Sequence, residues 1–316
     1  MSVKKGARVI VETCMGINPN EKVLIITTPL FSNKAKILAE QAKRLGAKVK
    51  VMRVKDEEMK IEPPQHVEEE MKNSDVILAT LPFSLIQIFL HTNARRAATD
   101  LGARVGGVPY IKYDITKEDI IEITELTERL AEILTKGNEA IIRTKKGTDV
   151  SLSIKGRISA PLRVMHVVSG AWGAVPDYAE AAIAPVEGTA QGTWIIDVFF
   201  EKVGAIKTPV KVEIEKGRAV KILGGEEAEK IKAIIQTADE NANNIAELGI
   251  GTNHRLKLTT GTIGDKMMKG TAHLAIGKNI NIGGNTYSNI HHDGVMKKVT
   301  IKIDGEEIIE EGKVLI

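Results

Sequence analysis

Cysteine is almost missing: Cys14 is the only one in 316 residues, which excludes an intrachain disulfide and a thiolate cluster for structural zinc. That scarcity fits a reducing cytoplasm, and any metal must be held by His, Asp and Glu. Long apolar runs are missing too. The most apolar segment, Asp75 to His91, is broken by Pro82 and Gln87 and falls short of the roughly 20 residues a membrane helix needs. The amino-terminal run MSVKKGARVIVETCMG is short and contains Glu12, so it does not read as a signal peptide. Neither charge dominates: 44 Lys and Arg stand against 41 Asp and Glu, interspersed, so no basic patch is offered to nucleic acid. Aromatic residues are only 3%, and with 27% charged residues that balance suits a thermophile. An apolar fraction of 43% is ordinary for a folded protein, which sets disorder aside. No repeat of solenoid period and no low-complexity tract interrupts the chain.

What is present is a change of rhythm. From Lys22, VLIITT, NKAKILAEQAKRLG, VKVMRV, PQHVEEEMKN and DVILAT alternate short β-rich runs with amphipathic helical patterns, as a parallel α/β layer does. A long amphipathic helix, Ile115 to Gly137, with Thr116 as its N-cap, closes this part. Beyond it come hairpins: NEAIIRTKKGTDVSLSI, VKVEIEKGRAVKIL around its EKGR turn, and VTIKIDGEEIIEEGKVLI, with one helix from Gly225 and a short turn near Asp265 to Lys269. The expectation is an α/β domain with a mainly parallel sheet over residues 1–136, then a β-rich α+β domain over residues 137–316 that carries the site. A cleft at or near their interface is expected.

The first part offers little chemistry. Gly102, Gly106 and Gly107 in GARVGGVPYI match neither the dinucleotide fingerprint nor a phosphate loop, and read as turns and close packing. His66 and His91 stand alone in helical contexts. The second part differs, because three of the seven histidines fall between Gly270 and Met296. His273 sits in a strand-like run, GTAHLAIG. In NIHHDGV, His291 and Asp293 are two apart, which in an extended segment puts both on one face and turns His292 away. Two histidines and a carboxylate suit a divalent first-row metal. A solvated loop and a packed core histidine would read the same way, so the carboxylates upstream matter. Glu180 heads a run of small and apolar residues, AEAAIAPVEGTAQGT, and Glu247 heads the small-residue stretch ELGIGTN. A buried carboxylate in such surroundings needs a partner.

Taken in order, AEAAIAPVEGTAQGT, AELGIGTN, DKMMKGTAHLAIG and SNIHHDGVM resemble the motif series of the aminopeptidase T family of metallopeptidases, across much of Pro176 to Met296. The resemblance implies that Glu180, Glu247, His273, His291 and Asp293 bind two divalent ions (Zn, Co or Mn). It further implies a homodimer that removes amino-terminal residues from peptides, with Glu180 as the candidate base. Two positions depart: Ile280 stands where that family has a tyrosine near the metals, and His292 where it usually has tryptophan. The chain also looks shorter. The related iron-dependent 2,5-dihydroxypyridine dioxygenase group is similar as well, in its compact plan and its His, His, Asp set; there one Fe(II) would bind a hydroxylated ring and oxygen. Retention of both glutamates favours two metals, and loss of the tyrosine favours one. The peptidase is the first reading and the dioxygenase the alternative, with a non-catalytic metal-binding homologue as a third. Tyr178, Tyr287 and Ser288 are weak candidates for substrate contact. Lys266 and Lys269 read as a solvated face or as partners of a substrate carboxylate, and His166 and His254 lie outside the motif series. The partner expected is a small peptide or other small molecule, with neither nucleic acid nor membrane.

Overall fold

Val76–Thr80 is buried along its whole length, and Lys22–Thr27 at every position after the first, as strands covered on both faces must be. They lie in a five-stranded sheet, ordered Lys48–Arg53, Lys22–Thr27, Val76–Thr80, Arg104–Gly107 and Trp172–Ala174, parallel at every pairing. Helices Ser32–Arg44, Gln65–Lys72, Phe83–Leu90 and Asn93–Asp100 fall between these strands in the chain. Leu24, Ile26, Ile77, Ala79, Ile86 and Phe89 anchor one apolar cluster of this layer. Gly106 and Gly107 do serve close packing, within a strand rather than a turn: a Cβ on them would come within 2.7 Å of Met15 Sδ and 2.5 Å of Ile86 Cγ2.

The computed structural model describes residues 3–112, 114–259 and 261–316. Its contacts divide the chain into two units, the first running to Thr124 and adding Arg163–Tyr178, the second made of Glu125–Leu162 and Ala179–Ile316. A single cut after residue 136 therefore needs correcting. The division falls inside helix Lys117–Lys136, and the chain returns to the first unit because Trp172–Ala174 pairs with Arg104–Gly107. Three residues of strand carry no periodic signal in sequence.

The second unit holds two antiparallel sheets, of eight and seven strands. The hairpins read from sequence form here, Glu139–Arg143 with Asp149–Ser153 and Val210–Glu215 with Arg218–Leu223. A single apolar cluster draws Ala140, Ile142, Trp194 and Val212 from one sheet, Ile183, Leu248, Leu274 and Met296 from the other, and Leu130 and Ile231 from helices. The α/β domain followed by a β-rich α+β domain is thus the observed fold. No helix among the described residues is long and apolar enough to cross a membrane.

Candidate metal centre

Four neighbouring strands of the seven-stranded sheet carry the polar residues: Glu180–Ile183, Ile245–Gly251, Thr271–Gly277 and His291–Lys297. Side chains alternate between faces along each strand. Ala181, Ile183, Leu248, Ile250, Leu274, Ile276 and Met296 point into the apolar cluster. The alternate positions are Glu180, Glu247, His273, His291 and Asp293, which therefore share the other face. Their neighbours there are small. The register sets Glu180 beside Gly251, His273 beside Gly249, and both Asp293 and Glu247 beside Ala275. Gly249 is indispensable to this arrangement, since a Cβ on it would lie 2.1 Å from His273 Cε1 and 2.2 Å from Nε2. The imidazole lies across the bare backbone of its neighbour strand.

Six side chains close a ring in which nitrogen and carboxylate alternate. Lys266 Nζ is 3.1 Å from Glu180 Oε1, and Glu180 Oε2 is 3.4 Å from His273 Nε2. His273 Nε2 is 3.3 Å from Glu247 Oε1, and Glu247 Oε2 is 3.1 Å from His291 Nε2. His291 Nε2 is 3.4 Å from Asp293 Oδ1, and Asp293 Oδ2 returns to Lys266 Nζ at 2.8 Å. Each carboxylate uses one oxygen on each side. Ligand atoms of Glu180, Glu247 and His273 lie within 4.8 Å of one another, as do those of Glu247, His291 and Asp293.

These residues fit a divalent metal. Bonds of about 2.1 Å at right angles set neighbouring ligand atoms about 3 Å apart, close to the spacings between the imidazole nitrogens and the carboxylates. Glu180 Oε2 and Asp293 Oδ1 are buried without a hydrogen-bond partner, each facing an imidazole nitrogen. His291 Nδ1 donates to the Lys278 carbonyl at 2.7 Å, so Nε2 is the nitrogen that faces the carboxylates and would face a metal. His291 is also the most open member, with 29% of its side chain exposed.

Electrostatics follow from burying three carboxylates together. Burial pushes the Glu180 carboxyl up, with Lys266 and His273 opposing and Glu247 and Asp293 reinforcing. Burial acts on Glu247 in the same sense, yet hydrogen bonds with His273 and His291 hold it below the usual carboxylate range. Against its burial, Asp293 is held well below that range by Lys266, His273 and His291. Burial opposes protonation of the imidazoles, but Glu180 raises His273, and Asp293 and Glu247 raise His291 well above the ordinary histidine range.

His292 lies on the opposite face, its ring edge-on to Phe200 and its Nδ1 3.5 Å from Glu201 Oε2. Tyr178 belongs to the first unit, where it packs against Phe83. Ser288 donates to Asp239 at 2.8 Å, while Tyr287 and Ile280 are exposed. Lys266 is the member that sequence reasoning left on a solvated face; it is only 4% exposed. The turn Ile263–Met267 carries it, and the Asp265 carboxylate holds that turn by accepting backbone N–H bonds from Thr259, Gly261 and Thr262. A Cβ on Gly251 would come within 2.4 Å of the Met268 carbonyl and 2.6 Å of that of Lys266, so this glycine admits the turn. The alternation Glu-Leu-Gly-Ile-Gly from Glu247 was the available signal: a face of small residues behind a carboxylate leaves room for neighbours.

In sequence the chain matches the NicX family, 2,5-dihydroxypyridine 5,6-dioxygenase, over residues 6–316. The chain belongs to this family. The 2,5-dihydroxypyridine dioxygenase of Pseudomonas putida KT2440 has a similar structure, with a TM-score of 0.80 at 18% identity, covering 99% of this chain and 96% of that one. AmpT from Thermus thermophilus is also similar, with a TM-score of 0.67 at 14% identity and 99% of each chain covered. No curated protein matches the sequence. At these identities the structures show a shared fold, and NicX membership rests on the sequence match. That membership supports an enzyme, and it favours the dioxygenase, the alternative from sequence, over the peptidase read first. For a NicX-family chain with these buried Glu, His and Asp groups, a divalent metal is the matching cofactor.

Proposed function

We propose that this protein is a non-haem iron(II) dioxygenase that opens a hydroxylated pyridine or closely related ring. The observation that carries this reading is the match to the dioxygenase family over residues 6–316. His273, His291 and Asp293 are the proposed ligands, a two-histidine, one-carboxylate set that leaves positions open for substrate and oxygen. When bound, the ion supplies the redox and Lewis-acid chemistry. Everything else falls to the chain's own groups. Glu247 sets one oxygen against the Nε2 of each imidazole, the nitrogens that would face the ion, and so is a further carboxylate available to it. Glu180 is the proposed acceptor for the proton of a ring hydroxyl: burial holds its carboxyl up, and Oε2 has no hydrogen bond. The part-exposed His291 marks the side on which a small ring would reach the centre. The single, buried Cys14 suits a reducing compartment, which an iron(II) enzyme also needs.

Iron(II)-loaded protein is expected to consume oxygen when given 2,5-dihydroxypyridine, and its zinc form is not. Release of amino-terminal residues from peptides by the Zn, Co or Mn form, with no oxygen uptake by the iron form, would overturn the proposal. One observation favours that second reading: the two ligand triads share Glu247, as they would around a pair of ions, in a fold shared with AmpT. Failure of both assays with metal bound would leave the non-catalytic homologue.

A further inference from the structure

We propose that Lys266 stands in for a second metal ion: its ammonium bridges Glu180 and Asp293 and limits the centre to one divalent cation. The inference rests on the metal-centre reading above and concerns what sets the number of ions. Three carboxylates and two imidazoles, arranged as two triads sharing Glu247, are a ligand supply large enough for two ions. The sixth member of the ring is a lysine. Lys266 Nζ lies 3.1 Å from Glu180 Oε1 and 2.8 Å from Asp293 Oδ2, so it takes one oxygen from each triad. The other oxygens, Glu180 Oε2 and Asp293 Oδ1, are the ones left without hydrogen bonds.

Charge makes the same point. Glu180, Glu247 and Asp293 contribute three negative charges when ionised, and Lys266 contributes one positive, leaving two negative charges for the set. One divalent ion neutralises that excess inside a buried site. A second would leave two uncompensated positive charges next to an ammonium, which a buried environment does not tolerate.

The lysine is also fixed in place. Its turn is pinned by Asp265 and by Asn253, whose N–H donates to the Met267 carbonyl at 2.9 Å. Thr271 Oγ1 donates to the carbonyls of Asp265 and Met268 at 3.0 and 2.8 Å. Gly251 lets the turn lie directly on the strand. The backbone that carries the ammonium is thus fixed, and the side chain itself is buried against Glu180 and Asp293. Lys266 is thereby a positioning residue, acting through Glu180 and Asp293.

The test is metal stoichiometry and coupling, independent of turnover. Full-length protein stripped of metal is titrated with Mn(II), bound metal is counted by elemental analysis, and the electron paramagnetic resonance spectrum is recorded. The wild type and Lys266→Arg are expected to bind one Mn(II) per chain with the spectrum of an isolated ion. Lys266→Met is expected to bind two, with the spectrum of a spin-coupled pair, and Lys266→Gln serves if the methionine variant does not fold. Two ions in the wild type would overturn the proposal whichever variant folds. One ion in the wild type and in a folded charge-removing variant would also overturn it while leaving the metal reading intact. No ion in the wild type would defeat the metal reading itself, and this proposal with it.

Discussion

Replacing Gly249 with alanine adds one methyl group at the point where the structure has no space for it. The new Cβ would lie 2.1 Å from His273 Cε1 and 2.2 Å from Nε2, far inside van der Waals contact, so the imidazole must rotate or the two strands must part. Overpacking of a buried site costs about 1–3 kcal/mol, and relief of glycine's excess freedom in the unfolded chain returns about 0.4–1 kcal/mol. Gly249 has no positive φ, so backbone strain adds nothing. The net loss of stability is about 0–2.5 kcal/mol, or a fall in Tm of at most roughly 10 °C for a unit of this size. The effect on metal should be larger in proportion, because Nε2 itself is displaced; disturbing the support of a metal-binding imidazole weakens affinity about 10–100-fold. Thermal melts of the metal-free protein and a Co(II) titration followed by absorption would separate the two quantities. A Gly249→Ala protein that folds and binds Co(II) as tightly as the wild type would refute the placement of the His273 ring across this strand.

His291→Ala and Asp293→Ala should each lose metal and keep the fold, whereas His292→Ala should keep metal and lose some stability, since its ring packs on Phe200; elemental analysis beside thermal melts distinguishes them, and equal metal retention in all three would defeat the site. Asp265→Ala removes a buried carboxylate that accepts three backbone N–H bonds and should destabilise the second unit by about 2–3 kcal/mol in a denaturant titration; a change under half that would show that the turn carrying Lys266 is held otherwise. The raised folded-state values of His273 and His291 have a definite sign in pH. Their contribution to the metal-free protein is full below the ordinary histidine value of about 6.5 and is lost as pH rises through the raised values. A metal must displace the same protons, so its affinity should rise with pH over that window. Calorimetric titration in buffers of different protonation enthalpy should show proton release above neutrality, and release of no protons there would contradict the shifts.

Much of the second unit was legible because strand alternation has a period of two. The spacing of His291 and Asp293 places them on one face and His292 on the other, and the structure shows that split directly. Glu180 and Glu247 were visible as carboxylates among small residues, and they do find partners in His273, His291 and Lys266. Lys266 was not legible, because its burial depends on a turn folding back across Gly251 and on pairing with Glu180 far back in the sequence, neither of which leaves a local pattern. The return of Arg163–Tyr178 to the parallel sheet was hidden for a similar reason: Trp172–Ala174 is too short for its hydrophobic pattern to show, and its partner strand lies far back in the sequence. The order of the two enzyme readings was set by the motif series, in which both glutamates suggested two metals; the lysine between Glu180 and Asp293 changes what those glutamates imply.

The central claim, one divalent ion held by the paired imidazoles and a carboxylate, is met most directly by X-ray absorption at the iron edge of Fe(II)-loaded protein. Two imidazole nitrogens and carboxylate oxygen at about 2.0–2.2 Å, with no metal neighbour, are predicted. A second metal at about 3.5–4 Å, or a shell with no imidazole scattering, would contradict the account.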